Sequence, residues 1–268
     1  MAAGAYGTSD FLGGFASKRS AALTVVFTSQ MVSWPLYLLL AVLTNDPFPP
    51  LRDLAIGASS GVVGLIALAA LYRGLATQPM TLVAPVSGVV AALIPVVFSL
   101  LTLDLPSATM LLGFGAALLA VWLVSGGAST RPIRLGDLRL PVTAGLGFGV
   151  LFILLSEATR LSTYYPLLAL RTVSLVLLWL LIRRARLPLF VPRQDRLLAL
   201  LTGLGDMGGN IFFVLAAQVG RLDVASVLTA LYPAATVLLA AVVLRERLNR
   251  LQSVGVVMAL TAIVLLNV

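Results

Sequence analysis

The chain has 268 residues, of which 60% are hydrophobic and only 10% are charged, and its formal net charge is +8. A soluble domain carries about 25% charged residues, so this composition excludes an ordinary soluble protein and indicates a polytopic membrane protein. The positive charges lie in loops between apolar segments, which excludes nucleic acid as a partner despite the basic balance. The chain has neither Cys nor His. We therefore expect no thiol chemistry, no metal site and no cofactor.

In chain order, charged residues and Pro or Gly breaks divide the sequence into ten apolar segments. A transmembrane helix needs roughly 20 such residues. The first segment is the shortest, because Lys18 follows it closely. The predicted fold class is an all-α polytopic membrane protein of about ten transmembrane helices, over residues 2–17, 21–43, 54–72, 81–102, 108–125, 140–158, 163–182, 197–217, 224–244 and 251–267.

The second half of the chain repeats the first at a shift of 142 residues. A Phe-x-Pro-x-x-Asp motif and two glycines recur in register: Phe48, Pro50, Asp53, Gly61 and Gly113 align with Phe190, Pro192, Asp195, Gly203 and Gly255. Each repeat holds five spans. Because five is odd, the second repeat enters the bilayer in the opposite direction, as in transporters built from inverted repeats. We predict a first repeat over residues 1–125, a cytoplasmic linker loop over 126–139 and a second repeat over 140–268.

The basic residues also predict an orientation. The loops after spans 1, 3, 5, 7 and 9 hold 14 of the 18 Lys and Arg residues, and the loops after spans 2, 4, 6 and 8 hold three. The remaining one, Arg171, lies inside a span. By the positive-inside rule the first set of loops is cytoplasmic, so both termini face away from the cytoplasm. We expect the protein in the plasma membrane or bacterial inner membrane.

Three stretches resemble the EamA family of the drug/metabolite transporter superfamily. Residues 231–248 are similar to the family's Pro-containing helix with a Gly-Glu-Arg-Leu-like end, although Arg245 stands where Gly is usual. Residues 61–76 resemble its Gly-rich helix, and residues 6–11 stand where the family often has Trp-Gly-Ser-Asn-Phe. The resemblance implies a ten-helix fold and efflux of a small metabolite. The family's usual orientation, with both termini inside, is the opposite of the one that the charges predict.

Two charges at bilayer depth are candidates for a functional site, since each costs about 2.5–3.5 kcal/mol on insertion scales. Arg171 in span 7 and Asp206 in span 8 lie roughly 12 Å and 16 Å from the outer ends of their helices, at 1.5 Å per residue. One loop joins the two spans, so we expect neighbouring helices and an ion pair. The pair either only fixes helix register, or Arg171 binds a substrate carboxylate while Asp206 carries a proton or steadies Arg171. Buried pairs stabilise poorly for their desolvation cost, which favours the second interpretation.

We assign substrate binding to Arg171, Gln30, Asn210 and Trp34, and proton coupling to Asp10 and Asp206. Burial favours the neutral form of a lone acid such as Asp10; alternatively, span 1 is wet and Asp10 only lines water. Gln30 aligns with the residue after Arg171, and Asn210 lies one turn from Asp206 on the same face. Trp34 lies deep in span 2, where it either kinks the span or walls a cavity.

Four glycines surround Asp206 and Asn210 in span 8. They are Gly203, Gly205, Gly208 and Gly209. We favour close helix packing as their role, because small residues let helix backbones approach each other in membranes. The alternative is a locally loosened helix that lines the substrate path.

The sequence as a whole predicts a secondary transporter that works by alternating access. We expect a proton-coupled exporter of a small metabolite such as an amino acid or organic acid, and Arg171 favours an anionic or zwitterionic cargo. No Gly-Lys-Ser/Thr phosphate loop is present, which argues against ATP-driven transport by this chain alone. The sequence has no set of catalytic residues that would indicate an enzyme. The alternatives are a non-transporting scaffold, an intramembrane enzyme or a channel. The expected partners are a small-molecule solute, protons and the lipid bilayer. The sequence leaves open whether the protein forms a homodimer.

Overall fold

The computed structural model describes residues 1–78, 80–102, 105–124, 135–243 and 250–266. In these ranges the chain is helical and has no strand, which confirms the all-α class. Most of the predicted linker 126–139 lies outside the described residues, and so does the Gly-Glu-Arg-Leu-like segment at residues 244–248. The helices are α1 (Ala2–Ala16), α2 (Ala22–Leu43), α3 (Leu51–Thr77), α4 (Met80–Thr102), α5 (Ala108–Val124), α6 (Arg139–Ala158), α7 (Tyr164–Arg184), α8 (Arg196–Val219), α9 (Leu222–Thr229), α10 (Tyr232–Val243) and α11 (Arg250–Leu266).

The single helix predicted over residues 224–244 is wrong. The structure has two helices there, α9 and α10, separated by a turn at Ala230 and Leu231. Pro233 explains the break, because a proline ring clashes with the carbonyl group four residues earlier. That carbonyl belongs to Thr229, the residue at which α9 ends. By contrast, α2 runs continuously through Pro35.

Six of the described helices are long and apolar enough to cross a membrane: α2, α3, α4, α6, α7 and α8. Helices α5 and α11 and the segment of α9 and α10 are apolar but shorter, and α1 has 15 residues. Large apolar side chains such as Leu112, Trp122 and Val257 are more than half exposed on the outer surface. These features indicate a multi-pass membrane protein, whereas the count of ten spans stays a prediction.

The two halves of the chain are interleaved in the bundle. Helix α1 packs on α8 and α10, α3 packs on α6 and α7, α2 packs on α7 and α8, and α5 packs on α11. Several close contacts have a counterpart 142 residues along the chain. Gly113 lies against Leu266 and Gly255 against Val124, and Gly149 lies against Ile94 and Gly7 against Thr236. The core therefore forms between the halves rather than within each of them.

Glycines let α8 approach α1 and α2 closely. A Cβ atom on Gly203 would lie 2.1 Å from the carbonyl oxygen of Ser29, and one on Gly209 would lie 2.6 Å from the Tyr6 ring. Neither position has room for a side chain. Helix α8 is continuous from Arg196 to Val219. Close packing, the favoured interpretation, thus applies to Gly203, Gly205 and Gly209 but not to Gly208, whose nearest neighbour is 3.7 Å away, and α8 shows no break.

The loop between α2 and α3 is tied to the start of α7 by Asp46. Its carboxylate accepts hydrogen bonds from the Ser162 hydroxyl at 2.8 Å and from the backbone N–H groups of Thr163 at 3.0 Å and Tyr164 at 2.8 Å. The first N–H groups of a helix have no partner within the helix, and its N-terminus favours negative charge. Asp46 therefore caps α7 from a different part of the chain.

Candidate functional site

Arg171 of α7 and Asp206 of α8 form an ion pair in the interior of the bundle. The Nη2 atom of Arg171 donates a hydrogen bond to Oδ2 of Asp206 at 2.6 Å. Arg171 is only 1% exposed and Asp206 9%. The pair expected from the similar depth of the two residues is thus present.

The expectation that α7 and α8 are neighbours is wrong. The two helices scarcely contact each other, and α2 packs against both. Arg171 reaches Asp206 because its side chain is long, and the Gly203 contact brings α8 close to α2. The ion pair therefore depends on three helices from both halves of the chain.

A small cavity of about 20 Å³ lies beside the ion pair. This volume is about that of one water molecule, so the site is closed to a metabolite in this conformation. The cavity is lined by polar residues from four helices and by apolar residues between them: Tyr6, Gln30, Arg171, Ser174, Asp206 and Asn210, with Gly64, Leu65, Leu68, Phe148, Leu151 and Leu170. The structure thus brings together four of the six residues that the sequence assigned to the site.

Several buried polar atoms around the ion pair make no hydrogen bond to a described residue. They are Nε of Arg171, Oε1 of Gln30, Oγ of Ser174 and the hydroxyl of Tyr6. Tyr37 also lies under the guanidinium, with its ring centre 5.7 Å from Cζ of Arg171, which is within the range of a cation–π contact. An unsatisfied buried polar group costs about 1–3 kcal/mol. A cluster of such groups around one guanidinium is suited to hold a polar ligand.

Asp10 lies close to the cavity but does not line it. It is buried in α1 one turn beyond Tyr6, within electrostatic reach of Asp206. The hydroxyls of Tyr72 and Tyr232 are near it. Within the described ranges Asp10 has no ion pair, and no group of three or more acidic side chains could hold a metal. The site therefore has a second acid beside the ion pair.

The structure places Trp34 outside the cavity. Its indole N–H donates to the Thr172 hydroxyl at 2.9 Å. It lines an apolar groove on the outer face of α2 and α7. The buried face of α2 runs through Gln30, Ser33 and Tyr37, and the position after Ser33 lies roughly 100° around the helix. Trp34 thus faces away from the ion pair.

Tyr6, Tyr37 and Ser174 belong to the site but were not predicted from the sequence. Ser174 is three residues from Arg171, and Tyr37 is seven residues from Gln30, so both lie on the same helix faces as those residues. This spacing could have identified them. Tyr6 is likewise one turn from Asp10 in α1, although its place in the cavity depends on the packing of α1 on α8.

Residues 136–268, the second half of the chain, match the model of the EamA-like transporter family. The chain belongs to this family. The family is one of transporters. The matched segment contains Arg171, Asp206 and Asn210, whereas Asp10 and Gln30 come from the half before it.

Among the solved structures that match this chain, one crystal structure of a protein has a TM-score of 0.75 at 12% sequence identity. The match covers 99% of this chain and 98% of the other. At this identity the likeness concerns the fold alone. None of the curated proteins matches the chain.

Proposed function

We propose that this protein is a secondary transporter that works by alternating access. Its cargo is a small metabolite with a carboxylate group, such as an amino acid or organic acid, which it exports in exchange for protons. Family membership supports transport. The observation that carries the cargo class is the ion pair of Arg171 and Asp206, enclosed in the bundle among buried polar atoms that have no partner.

The architecture proposed for this mechanism is two inverted five-helix repeats, residues 1–125 and 140–268, joined by a cytoplasmic linker. The paired contacts support it: Gly113 with Leu266 and Gly255 with Val124 are related by a shift of 142 residues. A two-fold axis between the repeats produces such pairs. The cavity beside the ion pair is lined by helices of both halves, so a rocking motion of one half against the other would open this cavity. The excess of basic residues in one set of loops favours termini outside the cytoplasm and an inner or plasma membrane location.

The chemistry of the site suits a carboxylate. A guanidinium has five N–H donors in a planar fork, and Asp206 accepts from Nη2 while Nε has no partner. A substrate carboxylate that binds Arg171 competes with Asp206, and the released Asp206 is then free to take a proton. Oε1 of Gln30 is an acceptor that suits the ammonium group of an amino acid. In this proposal Asp10 is the second acid of the proton pathway.

The second candidate is a scaffold in which the ion pair only fixes helix register. The buried geometry of the pair is compatible with this role, because removing one partner of a buried pair is costly whatever the pair does. The two functions differ in what happens when both charges are removed. A scaffold keeps its role in the double variant Arg171→Leu with Asp206→Leu, whereas a transporter folds and stops working.

The test is untargeted mass spectrometry of cells and medium. It compares cells that express the wild type, Asp206→Asn, the double Leu variant or an empty vector, with the amount of each protein in the membrane measured in parallel. We expect at least one carboxylate-bearing metabolite to shift from cells to medium with the wild type alone. An equal shift with the double Leu variant would overturn the role of the ion pair. No shift for any compound would overturn export.

A further inference from the structure

A second cavity opens at one end of the bundle, where α4, α6 and α8 end and α9 begins. Its volume is about 690 Å³, and its lining includes Phe98, Ser156, Glu157, Arg160, Ala217 and Arg221. We call this cavity the vestibule. It is large enough for a metabolite, unlike the cavity of about 20 Å³ beside the ion pair.

The two cavities share the same faces of α6 and α8. On α6, Phe148 lines the inner cavity and Ser156 lines the vestibule, eight residues apart on one face. On α8, Asn210 lines the inner cavity and Ala217 the vestibule, seven residues apart. The vestibule therefore lies in line with the ion pair along both helices.

Two phenylalanines occupy the space between the cavities. Phe152 lies midway between Phe148 and Ser156, and Phe213 lies between Asn210 and Ala217. Their rings stack with centres 4.4 Å apart, and the two residues are 3% and 0% exposed. The stack has no hydrogen-bonding group, so a hydrated or charged solute cannot pass it at low cost.

We propose that the vestibule is a second binding site for the carboxylate-bearing solute, and that the stack of Phe152 and Phe213 is the barrier between this site and Arg171. The inference rests on the proposed function for the identity of the solute. The basic residues at the vestibule favour an anion: Arg160 and Arg221 line it, and Arg52 forms an ion pair with the lining residue Glu157. Glu157 and Asp223 offset two of these three charges. The aromatic barrier then keeps the inner site dry while the vestibule is open.

The test uses the absence of Cys from the native chain. A single cysteine is placed in the vestibule as Ala217→Cys or in the inner cavity as Ser174→Cys. Purified protein in detergent is treated with anionic or cationic methanethiosulfonate reagents. We expect the vestibule cysteine to react several-fold faster with the anionic reagent than with the cationic one, and Arg160→Gln to reduce this ratio. Equal rates with both reagents would overturn an anion site.

The barrier is tested with the inner cysteine. We expect Ser174→Cys to react slowly in the native background and at least tenfold faster in combination with Phe152→Ala or Phe213→Ala. The matched control is Phe27→Ala, which removes another buried ring from an aromatic pair outside both cavities. It should leave the rate unchanged. Unchanged rates in both barrier variants would overturn the barrier.

The vestibule cysteine serves as a control for folding. In a folded protein its rate of reaction with the thiol reagent should be the same with and without Phe152→Ala. If an alanine variant does not fold, Phe213→Leu removes the ring stack while keeping a buried apolar side chain, and an intermediate rate is then expected. If Ser174→Cys reacts no faster with Phe213→Leu than in the native background, this result too would contradict the barrier. None of these measurements requires transport, so they separate a failure of the vestibule from a failure of the proposed function.

Discussion

Arg171 and Asp206 pair across α2, although the helices that carry them scarcely contact each other. The guanidinium lies over the Tyr37 ring of α2, and α8 reaches α2 through the Gly203 contact with Ser29. The ion pair therefore reports on the packing of three helices. A motion of α8 relative to α7 breaks the pair, and a motion of α2 away from α7 removes the Tyr37 ring from the guanidinium.

Removing one charge of this pair should be more damaging than removing both. We expect Arg171→Leu to lower the free energy of unfolding by about 3–5 kcal/mol, because Asp206 is left buried without a partner. The double variant with Asp206→Leu should recover most of this loss. Thermal unfolding followed by tryptophan fluorescence measures both. The control is Arg160→Gln in an exposed pair with Glu157, for which we expect a loss of about 1 kcal/mol or less. A double variant no more stable than the single one would contradict the prediction.

The glycines of α8 give a matched pair of substitutions within one helix. Gly203→Ala should lower the unfolding temperature, because the new Cβ would lie 2.1 Å from the Ser29 carbonyl oxygen. Gly208→Ala should leave it unchanged or raise it, since the nearest atom there is 3.7 Å away and Ala is favoured over Gly in a helix by about 1 kcal/mol. Equal effects of the two substitutions would show that α8 does not pack as described.

Asp46→Asn should destabilise the start of α7. The neutral amide loses the charge that favours the helix N-terminus and one of the two acceptor oxygens, with an expected loss of about 1–2 kcal/mol. The effect is measured by thermal unfolding and by proteolysis of the loop before α7. Thr44→Ala serves as the control in the same loop, because its hydroxyl bonds only within α2. If the two variants unfold at the same temperature, the cap contributes nothing.

Sidedness can be measured with single cysteines at the two ends of the bundle. Lys18→Cys follows α1 and Leu161→Cys follows α6, and both positions are exposed. The charge distribution predicts that an impermeant thiol reagent added to intact cells labels residue 161 and not residue 18. Permeabilised cells provide the control, in which both positions should react. The reverse pattern would place the termini inside, as the family resemblance implies.

The sequence predicted the helices well because long apolar segments between charges leave few alternatives in a membrane. It failed at residues 230–231, since proline alone does not decide whether a helix breaks: α2 continues through Pro35, whereas α9 ends four residues before Pro233. The presence of a proline in an apolar segment therefore does not by itself distinguish a continuous helix from a broken one.

Only part of the candidate site was predicted, because a single sequence does not show which distant residues come into contact. The rarity of charge at bilayer depth identified Arg171 and Asp206, and helical spacing identified Asn210. The position of α2 between α7 and α8 follows from contacts between distant parts of the chain. Trp34 was assigned by depth alone, and depth does not determine which way a side chain faces.

The aromatic stack of Phe152 and Phe213 also makes the two halves of the bundle different from each other. At the shift of 142 residues, Phe152 corresponds to Asp10 and Phe213 to Leu71, next to Tyr72. Two identical halves would offer the same passage to both faces of the membrane, and neither face would differ from the other. The two stacked rings thus have a buried carboxyl group and a leucine next to a buried phenol as their counterparts in the first half. In the proposed transporter, positions at which the two repeats have diverged, such as these, are what distinguish one face of the membrane from the other.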